Sequence, residues 1–488
     1  MGWKSRLGSI EWQAFGLTLL AAAPVMLPAL NAYFTFDDLM NLDYYTERLW
    51  ASVYSNLLLF TSFRRPLGAL FYLPSYHLFG MNPLPFYLTG VLLVSLNLAL
   101  FYALTLRLTR SLAMTVGATA LVALHPNMHA VLFNFGSVYE QAAMTGILGG
   151  LHCYLRLVSL PYRDGRRWRW YAGTLIFYWM ALNAKETAVV LPAILLAYEV
   201  FYRFSWRSER PRLAGPLLRL GPMFGVAALY TLAKLLGDEA FWRGNPLYEF
   251  HFDITILHNL ASYATLYSFR SLSFDGAGTI AFLFGLLTAG ALLRNRHLLF
   301  GLSMGLLALL PVLPLPRVWE LFLYLPSTGL ALCLSALLVD ALSRLAKWTA
   351  PRGWKSWRPG HILQLVVALI FLGTALEKTA RNFRIARDSE KAIRMLPWSS
   401  FARQLYERFP DLPDKTVLGF ENPPFNPDNH EFWCPLFLVQ LSYPDREIRV
   451  FRLPQQEKEF LRASSRAPQT YYFDWVEGRL REKDFVPD

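Results

Sequence analysis

Residues 34–43 read FTFDDLMNLD: two adjacent carboxylates, Asp37 and Asp38, and a third at Asp43, directly behind an apolar stretch of membrane-spanning length at 11–32. Acids at the mouth of a membrane helix are costly to place, and adjacent like charges cost more, so the pair signals function by default. Asp37 or Asp38 could also simply cap a helix end at the interface. Which role holds depends on what the rest of the chain places around them.

The chain has 488 residues, of which 54% are hydrophobic and only 17% charged. Apolar runs suggest about eleven spans of roughly 15–25 residues. They fall near 11–32, 84–106, 111–130, 138–160, 170–183, 187–204, 217–236, 277–293, 298–315, 321–342 and 362–376. The first run is too long for a signal peptide, has no small-residue cleavage site, and reads as a retained anchor. Cys153, Cys333 and Cys434 are far apart and suggest neither a disulfide framework nor a metal site.

Basic residues set the orientation. Arg163, Arg166, Arg167 and Arg169 crowd one connection, and Arg344, Lys347, Arg352, Lys355 and Arg358 crowd another on the same side. The positive-inside rule then puts the N-terminus in the cytoplasm. It also accounts for the net charge of +12 without nucleic acid as a partner. Two outer loops are long, 33–83 and 237–276, and the first holds an apolar, aromatic stretch at 67–79 suited to a helix lying in the interface. Beyond 381 the composition turns polar. A helical stretch near 388–408 and strand-like runs at 416–420, 437–441, 448–453 and 471–476 make 381–488 a small outer α/β domain. The fold expected is an all-α polytopic membrane core over 1–380 with that α/β domain behind it.

With this topology the unusual polar residues gather on the outer side. Arg64 and Arg65 share the loop of the acids, His125 and His129 mark the outer end of the third span, and Glu140 opens the fourth. Lys185 and Glu186 join the fifth and sixth, Glu320 opens the tenth, and Tyr324 follows it. Each has a plainer reading: lipid-headgroup anchors for the arginines, a structural pair for Lys185 and Glu186, a helix cap for His125, a solvated helix end for Glu140 and Glu320. Together they suit a different chemistry. An acid deprotonates a hydroxyl while basic side chains hold a phosphate leaving group. Nucleotide sugars stay in the cytoplasm, so an outward-facing transferase needs a lipid-borne donor. The alternatives are a lipid-carrier transporter or flippase, disfavoured by the scarcity of ionisable residues at the span centres, and a non-catalytic scaffold.

The order FDDLMNLD, FRRPLG, GMNPLPFYL, ALHPNMHAV, AKETAVVLP and ELFLYLPSTG resembles the GT-C superfamily of membrane glycosyltransferases. More closely, it resembles the membrane part of the transmembrane tetratricopeptide-repeat O-mannosyltransferases and their bacterial relatives, over residues 10 to 345. The resemblance implies inverting transfer from a polyprenyl-phosphate-linked sugar to an acceptor hydroxyl on protein, lipid or glycan, in a bacterial inner membrane with the site outside. The base is then Asp37 or Asp38, with Asp38 preferred, and Asp38 is also the residue that would hold a divalent cation (Mg or Mn) where the family uses one. Arg64, Arg65, His125, Glu140, Lys185, Glu186, Glu320 and Tyr324 are the substrate-binding candidates. Three departures stand out. The repeats are absent. Phe86, Tyr87 and Leu88 occupy the segment where a histidine is common, and Leu321 stands where an arginine usually follows the acid.

Overall fold

The computed structural model describes residues 2–53, 65–204, 214–236, 246–268, 273–349, 377, 380–389, 397–424 and 434–484. Arg64 and the expected span at 362–376 lie outside the described residues. Helix α1 (Gly2–Met26) leads through a 3-10 turn into α2 (Phe36–Ser52), which carries the acids. The first loop holds α3 (Ala69–Phe79), on the apolar stretch expected there. Then come α4 (Leu84–Thr109), α5 (Leu112–Ala123), α6 (Met128–Leu132), α7 (Val138–Ser159) and α8 (Arg167–Ala184). They are followed by α9 (Leu191–Tyr198), α10 (Ala214–Leu236), α11 (Thr255–Tyr267), α12 (Gly276–Leu292), α13 (Arg296–Leu309) and α14 (Tyr324–Thr349).

Every expected span from 11–32 to 321–342 has a helix over it. Glu11–Asn31, Leu84–Thr109, Gly215–Leu236 and Glu320–Arg344 are long and apolar enough to cross a membrane, and Leu112–Ala123, Gly276–Leu292 and Arg296–Leu309 are shorter apolar helices. The chain is an integral membrane protein. Its helix ends are set by local chemistry. The Ser111 hydroxyl accepts from the Met114 N–H at 3.3 Å, and Asn295 Oδ1 accepts from His297 and Leu298, satisfying first-turn donors that would otherwise lack partners.

The span expected at 111–130 is interrupted. Pro126 disfavours the helical conformation at His125 and offers no N–H, so α5 stops at Ala123. The chain turns, forms the short α6, and makes a 3-10 turn at Phe135–Ser137. The connection that follows lays Gly136 against the start of α2.

The C-terminal part holds a four-stranded sheet in the order β2-β1-β3-β4, built from β1 (Val417–Glu421), β2 (Arg449–Leu453), β3 (Thr470–Val476) and β4 (Arg479–Glu482). β1 runs parallel to β2 and β3, and β4 closes a hairpin through Glu477 and Gly478, both at positive φ, which matches the twist of the strands. Three of the expected strands are present. The fourth is not: 437–441 lies in a helix, Cys434–Ser442. A short apolar run does not tell strand from helix, and Pro435 in the first turn favours helix. That helix docks on the membrane part. Phe437 packs on Phe36 with ring centroids 6.2 Å apart, and the Tyr76 hydroxyl donates to the Leu441 carbonyl at 2.8 Å.

Helices α13 and α14 touch backbone to backbone. A Cβ on Gly329 would stand 2.6 Å from the Gly301 carbonyl and collide with the Gly305 N–H. Gly329→Leu is therefore expected to abolish recovery of folded, monodisperse protein in detergent. Gly285→Leu, at a position where an added Cβ would meet nothing within 4 Å, should leave the thermal midpoint unchanged. Size exclusion and thermal unfolding of the two variants check this.

Candidate active site

The two adjacent acids are treated differently by the fold. Asp38 is fully buried and Asp37 is exposed. Successive helical residues point about 100° apart, so one acid faces inward and the other outward. Asp38 Oδ2 accepts from the Thr35 N–H at 2.7 Å, the reach-back of a third-position acid to the residue that opens its helix. Its Oδ1 accepts from the Gly136 N–H at 2.6 Å, which ties α2 to the turn after α6. The Tyr87 hydroxyl lies 3.3 Å from Asp38 while donating to the Tyr33 carbonyl at 2.6 Å. The segment where the resemblance expects a histidine thus delivers a phenol to this carboxylate. Burial pushes the Asp38 carboxyl up to about 7, against the pull of the Thr35 and Gly136 donors and with a smaller push from Asp37.

Gly136 has to be small. A Cβ there would lie 2.8 Å from Asn134 Oδ1 and 3.4 Å from the Asp37 Cβ. Asn134 Oδ1 is buried and, among the described residues, has no hydrogen-bond partner, a costly state for an acceptor.

Beside the acids the expected charged residues converge. Arg65 makes a two-pronged bond to Glu186 at 3.1 and 3.0 Å, and its guanidinium lies 5.0 Å from the Tyr139 ring centroid. Lys185 forms an ion pair with Glu140, both nearly buried, and lies 5.2 Å from the Phe322 ring centroid. Burial raises Glu186, but the Arg65 and Lys185 charges outweigh it and hold the carboxyl at about 2. Burial likewise opposes the Arg65 charge, and Glu186 and Glu140 hold its pKa above the ordinary arginine value. Tyr45 of α2 joins the acids to this cluster, donating to the Arg65 carbonyl at 2.5 Å and lying 2.9 Å from the Tyr139 hydroxyl.

Other candidates stand elsewhere. His125 is buried, accepts from the Asn127 N–H, faces the Tyr267 carbonyl with its other nitrogen and stacks on the Tyr267 ring. His129 Nε2 faces Glu320 at 3.5 Å, and its Nδ1 donates to the Pro126 carbonyl. Tyr324 lies inside the bundle, where Asn97 donates to its hydroxyl at 3.3 Å. Arg64 lies outside the described residues.

Three residues were missed by sequence reasoning. Asn134 has no local signal. Lys234 ends α10 within electrostatic reach of Glu186, and a lone lysine in the apolar run AALYTLAKLL was the available clue. Tyr248, in the second long loop, lies within electrostatic reach of Arg65, Glu186, Asp37 and Glu140.

Among the described residues no three His, Cys, Asp or Glu side chains stand close enough to hold a metal ion. Asp38 turns no open oxygen toward the exposed side, since each is already bonded to a backbone N–H.

The bundle, its acid-bearing first loop and its C-terminal sheet together have the GT-C fold of membrane glycosyltransferases. The oligosaccharyltransferase of Archaeoglobus fulgidus aligns at a TM-score of 0.51 with 12% identity, over 95% of this chain and 69% of that one. ArnT of Cupriavidus metallidurans aligns at 0.50 with 13% identity, over 96% and 93%. In sequence, the protein O-mannosyl-transferase TMTC2 of Mus musculus is 27% identical over 235 residues, and its Homo sapiens counterpart 26%. The alignment spans 45% of this chain and 28% of each relative. No family model matches the chain.

Two outcomes follow from the geometry. The Asp38 pKa of about 7 lies above the ~3.9 of an unfolded chain, so its contribution to stability is fully present below ~4 and is lost as pH rises through 7. The thermal midpoint should fall over that window and the fall should be smaller in Asp38→Asn; an unchanged slope would contradict the assignment. Glu140→Gln leaves Lys185 nearly buried without its carboxylate, at a cost of about 3–5 kcal/mol. Adding Lys185→Met should recover much of the loss in thermal unfolding.

Proposed function

We propose that this chain is a membrane glycosyltransferase that moves a sugar from a polyprenyl phosphate to an acceptor hydroxyl in one inverting displacement. What supports the reading is an exposed carboxylate, Asp37, on the helix that Tyr45 ties to the Arg65 backbone, with the Arg65–Glu186 and Lys185–Glu140 pairs at the same end of a GT-C bundle. The O-mannosyl-transferase name of its relatives is consistent with it. The base is assigned to Asp37 rather than Asp38, because Asp38 has no exposure and both its oxygens are engaged.

In this scheme Asp37 takes the proton of the acceptor hydroxyl, and the oxygen attacks the anomeric carbon. The bond from that carbon to the phosphate oxygen breaks, and the electron pair leaves on the polyprenyl phosphate. Arg65, Lys185 and Lys234 take up the charge that develops there, as preorganised cations in a water-poor site do. Glu140 and Glu186 hold the first two in place, and Asn134 Oδ1 accepts from a sugar or acceptor hydroxyl. No step runs through a cation. The site faces away from the cytoplasm, with the N-terminus inside, a bacterial inner membrane around residues 1–380, and 381–488 outside.

Asp37→Asn should lower transfer by about 10²–10⁴-fold, the range for loss of a general base, with an unchanged thermal midpoint. The assay is transfer by the purified chain from a panel of polyprenyl-phosphate hexoses and pentoses, read by mass spectrometry. Wild-type rates in the variant would remove Asp37 from the mechanism.

A further inference from the structure

A cavity of about 930 Å³ lies between the membrane part and the C-terminal part, at the upper end of the size range of small-molecule sites. One wall is the chain just ahead of the acids and the turn after α3, with Asn31, His77 and Asn82. The other is the C-terminal helix Pro397–Arg408, with Ser400, Arg403 and Tyr406. We propose that this cavity binds the acceptor, and that the acceptor is a saccharide. The proposal rests on the transferase reading and deepens it.

The lining is wrong for a polyprenyl chain and right for a polyol. A lipid tail needs a continuous apolar groove, whereas here amide, hydroxyl, imidazole and guanidinium groups interrupt the apolar surface. Asn82 Oδ1 already accepts from the Leu84 N–H at 3.1 Å, which fixes the side chain and leaves its two N–H donors for a ligand. Arg403 is exposed, and its planar fork matches a pair of neighbouring hydroxyls. Tyr406 is 54% exposed, an aromatic face of the kind on which the C–H side of a sugar ring stacks through its electron-rich centre. The wall is held in place. Tyr76 donates to the Leu441 carbonyl, and the helix that carries Leu441 packs through Phe437 on Phe36, the residue before Asp37.

The cavity is bounded by Asn31, Ala32 and Tyr33, the residues that lead into α2, whereas Arg65 meets α2 through Tyr45, so in this scheme donor and acceptor approach one base from different elements. The acceptor would enter from water between the two parts of the chain, and the lipid donor from the bilayer.

The test is binding of tetrasaccharides of glucose, mannose, galactose and N-acetylglucosamine, and of a serine- and threonine-rich octapeptide, to the full chain in nanodiscs by saturation-transfer NMR. At least one tetrasaccharide should bind the wild type and Asp37→Asn equally. It should bind Tyr406→Ala and Arg403→Ala about tenfold more weakly, a factor expected for one aromatic or charged contact. Tyr406→Phe should keep most of the affinity, since it keeps the ring. Both alanine changes fall on exposed side chains, so the folded chain remains available for measurement. Binding of the peptide alone, equal affinity in wild type and Tyr406→Ala, or no saccharide bound by folded protein each overturns the proposal. Saccharide binding without transfer from any donor would overturn the transferase reading and leave the binding site standing.

Discussion

A buried carboxylate bonded to two backbone N–H groups from distant parts of the chain is the constraint on which this end of the bundle depends. Asp38 takes one donor from Thr35, at the start of its own helix, and one from Gly136, beyond the interruption in the third span. Taking a carboxylate out of water is unfavourable unless its oxygens are satisfied. The structure that satisfies them also stops α2 from rotating or sliding against the turn that carries Asn134. The exposed neighbour, Asp37, inherits that fixed position. The capping role that the sequence left open to either acid falls to Asp38, and Asp37 is left exposed.

The charged cluster follows the same logic. Arg65 and Lys185 at the end of a membrane bundle would be unstable alone, and Glu186 and Glu140 neutralise them one for one. The two-pronged Arg65–Glu186 contact fixes a planar group in one orientation, which a flexible surface arginine lacks. Lys234 adds a further positive charge within reach of Glu186. The two pairs cancel, which lowers their cost in the folded chain, and Lys234 leaves the cluster with a net positive charge.

Much of this was legible in the sequence. Span positions follow from apolar length, since hydrocarbon leaves a backbone few ways to satisfy itself. The gathering of Arg65, Glu140, Lys185 and Glu186 at one end followed from charge scarcity in apolar segments. Other features depend on tertiary contacts that no local pattern encodes. FLVQL at 437–441 has the composition of a strand, but the proline ahead of it and the face offered by Phe36 make it helical. The division between Asp37 and Asp38 depends on the direction of the Gly136 N–H, a backbone group about a hundred residues away. Asn134 becomes notable only when its oxygen is seen buried without a partner. His125 and Tyr324 carried a sequence signal, and their polar atoms are engaged in packing inside the bundle.

The interruption at Pro126 connects these observations. Proline ends α5, and the chain beyond it turns through α6 into the 3-10 turn that opens α7. The Gly136 N–H in that turn is one of the first-turn donors that a helix leaves without a partner, and it bonds the buried acid. The cost of breaking a membrane helix is offset where the freed groups find partners in the protein. Here the partner is the residue that positions the exposed acid. The segment after the break in the third helix and the paired acids after the first thus meet through the Gly136–Asp38 bond.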